Sequence, residues 1–162
     1  MIRSILQISL LLGLFCISCT KEGPVGNNPP VLIYKGLNAN TLNQGLGKDS
    51  ISINLSFSDV DGDIGGVNEL NIFIIDNRDG SEYIVRSFPE LPNNGKLLEG
   101  TMKLTLPSTC CIYPPEALTP ACDKNPNYPE NRFTVDVYIE DLARNRSNSI
   151  TTDSIIMYCL RF

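Results

Sequence analysis

Ile51, Ile53, Leu55 and Phe57 alternate with Ser52, Asn54, Ser56 and Ser58. A period of two with apolar and small polar residues in turn predicts a half-buried strand over 50–58. Phe133, Val135, Val137 and Ile139 alternate with Thr134, Asp136, Tyr138 and Glu140, which predicts another over 132–140. Met102, Leu104 and Leu106 do the same against Thr101, Lys103 and Thr105, within a strand over 97–106. Asn71-Ile72-Phe73-Ile74-Ile75 is a nearly continuous apolar run and suits a strand in mid-sheet, over 70–76. Asn77-Arg78-Asp79-Gly80 is a hairpin turn sequence that pairs this run with a strand over 82–88. Strands over 31–37 and 149–160 complete the set, and no stretch has the 3.6-residue period of an amphipathic helix. Seven strands over about 130 residues predict an all-β fold, a two-sheet antiparallel immunoglobulin-like β-sandwich, with a barrel as the alternative. In such a sandwich the connections alternate between two ends. Those after residues 58, 88 and 140 share one end with the N-terminus. Those after 37, 76 and 106 share the other with the C-terminus.

The start of the chain has a different pattern. Arg3 is followed by an apolar stretch of 13 residues, Ile5 to Ile17. A bilayer span needs about 20 apolar residues, so this has the length of a signal-peptide core. It ends in Cys16-Ile17-Ser18-Cys19, a small residue before a cysteine, which resembles the lipobox of bacterial lipoproteins. The resemblance implies cleavage after Ser18 and lipidation of Cys19. It departs from the usual pattern at Cys16, where the family commonly has Leu. Thr20-Lys21-Glu22-Gly23 resembles the surface-export signal of Bacteroidota lipoproteins. Gly23 to Pro30 then holds three Pro and two Gly in eight residues, a composition for a spacer and not for a helix or central strand. The expected organisation is a signal peptide at 1–18, a lipidated cysteine and linker at 19–30, and a sandwich at 31–162.

Asp59, Asp61 and Asp63 stand at spacing two inside Phe57-Ser58-Asp59-Val60-Asp61-Gly62-Asp63-Ile64-Gly65-Gly66. Three carboxylates held together repel unless something neutralises them. Hard oxygen ligands without nitrogen or sulfur suit Ca²⁺. The loop is not an EF-hand, since Ile64 stands where that motif needs Gly and Leu70 where it needs Glu. The topology brings the connection 140–148 to the same end, so Asp141 and the side-chain carbonyl of Asn145 could complete a cage. Arg144 and Arg146 could neutralise the loop in place of a metal. Asp and Gly are also ordinary turn formers.

The Asp-x-Asp-Gly-Asp-Ile-Gly element, followed by an apolar strand and then by Ile139-Glu140-Asp141 with Asn145-Arg146-Ser147-Asn148, resembles a group of small Bacteroidota envelope lipoproteins with immunoglobulin-like or cadherin-like domains. The resemblance spans most of the chain and implies a sandwich at the cell envelope. It implies no settled activity.

With Cys16 cleaved off and Cys19 acylated, Cys110, Cys111, Cys122 and Cys159 remain. An even number in an exported domain predicts two disulfides. A Cys110–Cys111 bridge would distort the peptide between them. Cys122 therefore pairs with one of the two and Cys159 with the other. The bridges would hold residues 107–131, which contain six Pro and no regular period. Four-cysteine zinc sites show paired C-x₂₋₄-C spacing, which is missing. Tyr113 and Tyr128 flank this segment and are the expected anchors for a partner.

Composition narrows the function. The chain of 162 residues has 13 Lys+Arg against 18 Asp+Glu and no His. Cleavage removes Arg3, leaving 12 basic and 18 acidic side chains, a net −6. That balance argues against a nucleic-acid partner. The lack of His excludes Ser-His-Asp and Cys-His catalysis and His-ligated zinc. The expectation is a non-enzymatic lipoprotein of the bacterial outer membrane, a binding, adhesion or complex-forming module. Its partners would be the membrane, through its lipid, and an envelope protein or glycan. The alternative is a small glycan-processing enzyme that uses carboxylates alone.

Overall fold

The computed structural model describes residues 28–65, 70–89, 91 and 96–160. The expected signal peptide, Cys19 and the expected linker as far as residue 27 lie outside the described residues. The fold is all-β: β1 (Val31–Leu37), β2 (Thr41–Asn43), β3 (Ser50–Asp59), β4 (Leu70–Asp76), β5 (Glu82–Ser87), β6 (Leu98–Pro107), β7 (Glu130–Phe133), β8 (Val135–Ile139), β9 (Ile150–Thr151) and β10 (Ile155–Tyr158). A 3₁₀ turn spans Pro115–Ala117.

The strands form three sheets, ordered β1-β3-β6, β5-β4-β8-β9 and β2-β10-β7. Within them all pairings are antiparallel except β2 with β10. The alternation that predicts β3 also positions it. Ile51, Ile53, Leu55 and Phe57 are all buried. Their partners across the ladder are Leu106, Leu104, Met102 and Gly100. Directly opposite residues share a face, so both strands offer one apolar face to the core. Opposite Phe57 there is no room for a side chain, since a Cβ on Gly100 would lie 2.8 Å from the ring. The Phe57 ring packs edge-on to Phe88, with centroids 5.0 Å apart. The β5-β4-β8-β9 sheet contributes Ile72, Ile74, Val135, Val137 and Ile139 to the same buried cluster, and β10 contributes Ile155.

The apolar run at 70–76 does lie in mid-sheet, as β4 between β5 and β8. Two expected strands are each divided. The one over 132–140 breaks at Thr134 into β7 and β8. The one over 149–160 breaks at residues 152–154 into β9 and β10. Buried Thr152 holds this corner: Val135 donates its N–H to the Thr152 hydroxyl at 3.1 Å and accepts the Thr152 N–H at 3.0 Å. A side chain replaces one ladder partner there, and the hairpin passes from one sheet to the next.

The connections gather at two ends. At one, Leu142 donates its N–H to the Asp63 carbonyl at 3.1 Å. At the other, Gly45 and Gly47 donate to the carbonyls of Thr109 and Ser108, each at 2.9 Å. Among the described residues no helix is long and apolar enough to cross a membrane.

Candidate metal centre

β3 ends at Asp59, and the chain folds back at once. The Ile64 N–H donates to Asp59 Oδ2 at 2.9 Å, closing the loop over residues 59–64. Ile64 is buried and fixes the far side of that loop in the core. The EF-hand glycine position is thus filled by a hydrophobic anchor. Gly62 has φ +66°, and a Cβ there would meet the Lys96 carbonyl oxygen at 2.2 Å. Glycine at this position lets the connection from β5 to β6 close over the acidic loop.

The result brings Asp59, Asp61 and Asp63 together. One carboxylate oxygen from each lies within 4.8 Å of the others, a group that could hold a metal ion. Asp59 is 1% exposed. Among the described residues, four buried carboxylate oxygens have no hydrogen-bond donor: Asp59 Oδ1, both oxygens of Asp61, and Asp63 Oδ1. Burial raises the Asp59 carboxyl to about 7, and the neighbouring Asp61 adds to this. Burial also raises Asp63 to about 6, helped by Asp141 and then Asp61. Acceptors face acceptors here, and a proton or a cation must lie between them.

Asp141 is buried beside this group, but its own carboxylate is taken up by Asn145. The Asn145 backbone N–H donates to Asp141 Oδ1 and its side-chain amide to Oδ2, both at 2.8 Å. The two basic residues of this connection have other contacts. Arg144 Nη1 lies 3.6 Å from Glu140 Oε2, and the Arg146 guanidinium lies over the Tyr138 ring at 3.6 Å.

The opposite end carries the cysteine-rich connection. Cys110 pairs with Cys122 and Cys111 with Cys159. Tyr113 and Tyr128 are half-buried and pack edge-on to one another, with centroids 6.1 Å apart. The Tyr113 hydroxyl donates to the Asp123 carbonyl at 2.5 Å. Both rings therefore help fold the connection on itself. Its outward apolar groups are Ile112 and Leu118, with Leu46 from the connection between β2 and β3. Two residues that carry this end are silent in the sequence. Gln44, fully buried, accepts the Cys111 N–H and donates to the Cys159 carbonyl. Arg78, a turn residue by its setting, lies over the Phe133 ring at 4.1 Å and forms an ion pair with buried Asp76.

Comparison with protein-family models, with curated proteins and with solved structures finds no match to this chain.

Proposed function

We propose that this chain is a non-enzymatic envelope lipoprotein: a calcium-binding, immunoglobulin-like sandwich anchored in a bacterial outer membrane through Cys19, which presents its disulfide-bound connection to a partner protein or glycan. The strand order supports the immunoglobulin-like reading. The strands at 31–37, 50–59 and 98–107 share one sheet, and those at 70–76, 82–87, 135–139 and 150–151 share another. The division resembles that of an immunoglobulin-type domain, with the fourth strand on the edge of the second sheet.

The calcium reading is carried by the four buried carboxylate oxygens that lack a donor. Calcium takes six to eight oxygen ligands, and Asp59, Asp61 and Asp63 supply hard oxygens from one short loop. The glycan-processing alternative has no comparable support. Its two carboxylates must face each other across a bound sugar, whereas Asp59, Asp61 and Asp63 all belong to one short loop.

Calcium at a hundredfold excess over its Kd should stabilise the protein by about 2.7 kcal/mol, read as a rise in Tm. Asp61→Asn should remove most of that increment. The metal-free protein should also show a distinctive pH dependence. Asp59 and Asp63 keep their protons up to about pH 7 and 6 in the folded state, but only to about pH 4 when unfolded. The folded state binds more protons across that window, so stability falls as pH rises from about 4 to 7. Calcium should flatten this slope. A Tm indifferent to calcium and chelator, with no such slope, would leave an ordinary acidic turn.

The anchor has its own test. Cys19→Ala should move the protein from the membrane fraction to the soluble fraction, and unchanged fractionation would remove the lipoprotein reading.

A further inference from the structure

We propose that the metal-binding end of the sandwich seats on a phospholipid surface when calcium is bound, with Val60, Leu97 and Leu142 entering the interface. This rests on the calcium and anchor readings above. The three side chains are 63%, 58% and 46% exposed. Each sits beside the acidic group on a different connection. Val60 lies between Asp59 and Asp61 in the chain. Leu97 precedes Leu98, which pairs with Asp59 across the β3–β6 ladder. Leu142 follows Asp141 and donates its N–H to the Asp63 carbonyl. Among the described residues, three connections thus place exposed Val60, Leu97 and Leu142 around one acidic group.

The same end receives the chain from the expected anchor. The backbone of Leu32, the second residue of β1, is held by Asn148: its N–H donates to Oδ1 at 2.8 Å and its carbonyl accepts from Nδ2 at 3.0 Å. Residues 19–30 separate Cys19 from β1, and twelve residues extend at most about 40 Å. A lipid at Cys19 therefore holds this end near the bilayer at high effective concentration, so each inserting side chain need contribute little. Charge supplies the switch. Without a cation, the carboxylates of this end that are ionised repel anionic headgroups. A bound divalent cation cancels part of that charge and attracts lipid phosphate.

The test uses the full chain carrying Cys19→Ala and vesicles of phosphatidylethanolamine with phosphatidylglycerol. Sedimentation with vesicles, in calcium and in chelator, isolates the calcium-dependent part of binding from any due to the N-terminal segment. Calcium should strengthen vesicle binding by about tenfold or more. Replacing the three side chains together, Val60→Ser, Leu97→Ser and Leu142→Ser, should remove about tenfold of that gain. The triple variant should keep its calcium-induced rise in Tm. A normal rise in Tm without calcium-dependent sedimentation would overturn the seating and spare the metal site. The seating is equally overturned if the triple variant sediments like its parent, or if calcium joins copies of the chain without vesicles. The absence of any calcium effect on Tm would remove the metal site and the seating together.

Discussion

Arg78→Met should destabilise the fold by about 3–5 kcal/mol, the cost of leaving one partner of a buried ion pair alone. The Arg78 and Asp76 side chains are 9% and 4% exposed, with Nη2 at 2.6 Å from Oδ2. Nε adds two contacts of 3.0 Å to the same carboxylate. The guanidinium also reaches the Thr109 hydroxyl at 3.2 Å, Asn131 Oδ1 at 3.3 Å and the Cys110 carbonyl at 3.4 Å. It is therefore a clasp between the β4–β5 turn and the cysteine-rich connection. Methionine keeps much of the side-chain length and loses every donor. Urea unfolding should show a lower midpoint with an unchanged slope. The double variant Asp76→Ala/Arg78→Met should be more stable than the sum of the single effects predicts, because the stranded charge is gone. Strict additivity would mean the pair is not coupled.

Removal of the Cys111–Cys159 bridge should have the next largest effect. It closes a loop of 48 residues, against 12 for Cys110–Cys122. Chain entropy then gives about 4 kcal/mol for the long loop and about 3 for the short one. Cys111→Ala/Cys159→Ala should therefore lower the urea midpoint more than Cys110→Ala/Cys122→Ala. The long bridge also ties the cysteine-rich connection to the residue after β10, beside buried Gln44. An equal or reversed order would refute the loop-length account. Mass spectrometry of unreduced peptides would check the pairing directly.

Much of the architecture was legible because one signal dominated. In β3 and β8 the alternating apolar residues Ile51, Ile53, Leu55, Phe57, Val135, Val137 and Ile139 are the buried ones, and in the apolar run of β4 Ile72 and Ile74 are buried. The corners at Thr134 and Thr152 were not legible. The alternation Phe133, Val135, Val137, Ile139 runs straight through the break, and all four side chains are buried on both sides of it. Side-chain period reports the face, whereas partner choice depends on backbone hydrogen bonds that leave no mark in composition. β2 escaped for another reason: three residues carry no measurable period, and its parallel partner lies more than a hundred positions away.

At the acidic end, the spacing of Asp59, Asp61 and Asp63 was enough to expect a cluster. What the spacing could not reveal was the closure by the Ile64 N–H, which fixes which oxygens are left bare. Nor could it reveal that Asn145 would donate to Asp141. The tyrosines show the converse difficulty. Tyr113 and Tyr128 stand out in sequence as large rings beside prolines, but a segment this poor in regular structure needs rings to fold upon. Leu118 and Ile112, plain residues in sequence, are the ones left facing outward.

The pairing of β1 with β3 has a mechanical consequence. Its ladder runs without interruption of pairing partners from Val31↔Ser58 to Leu37↔Ile53, apart from one irregularity between Tyr34 and Gly36. β1 begins at the end that carries Asp59, Asp61 and Asp63, while the cysteine-rich connection lies at the other. A pull between the two therefore runs along the strand axes, across hydrogen bonds that lie perpendicular to them. Such a pull loads the ladder in shear, so its bonds share the force instead of opening one after another from an end.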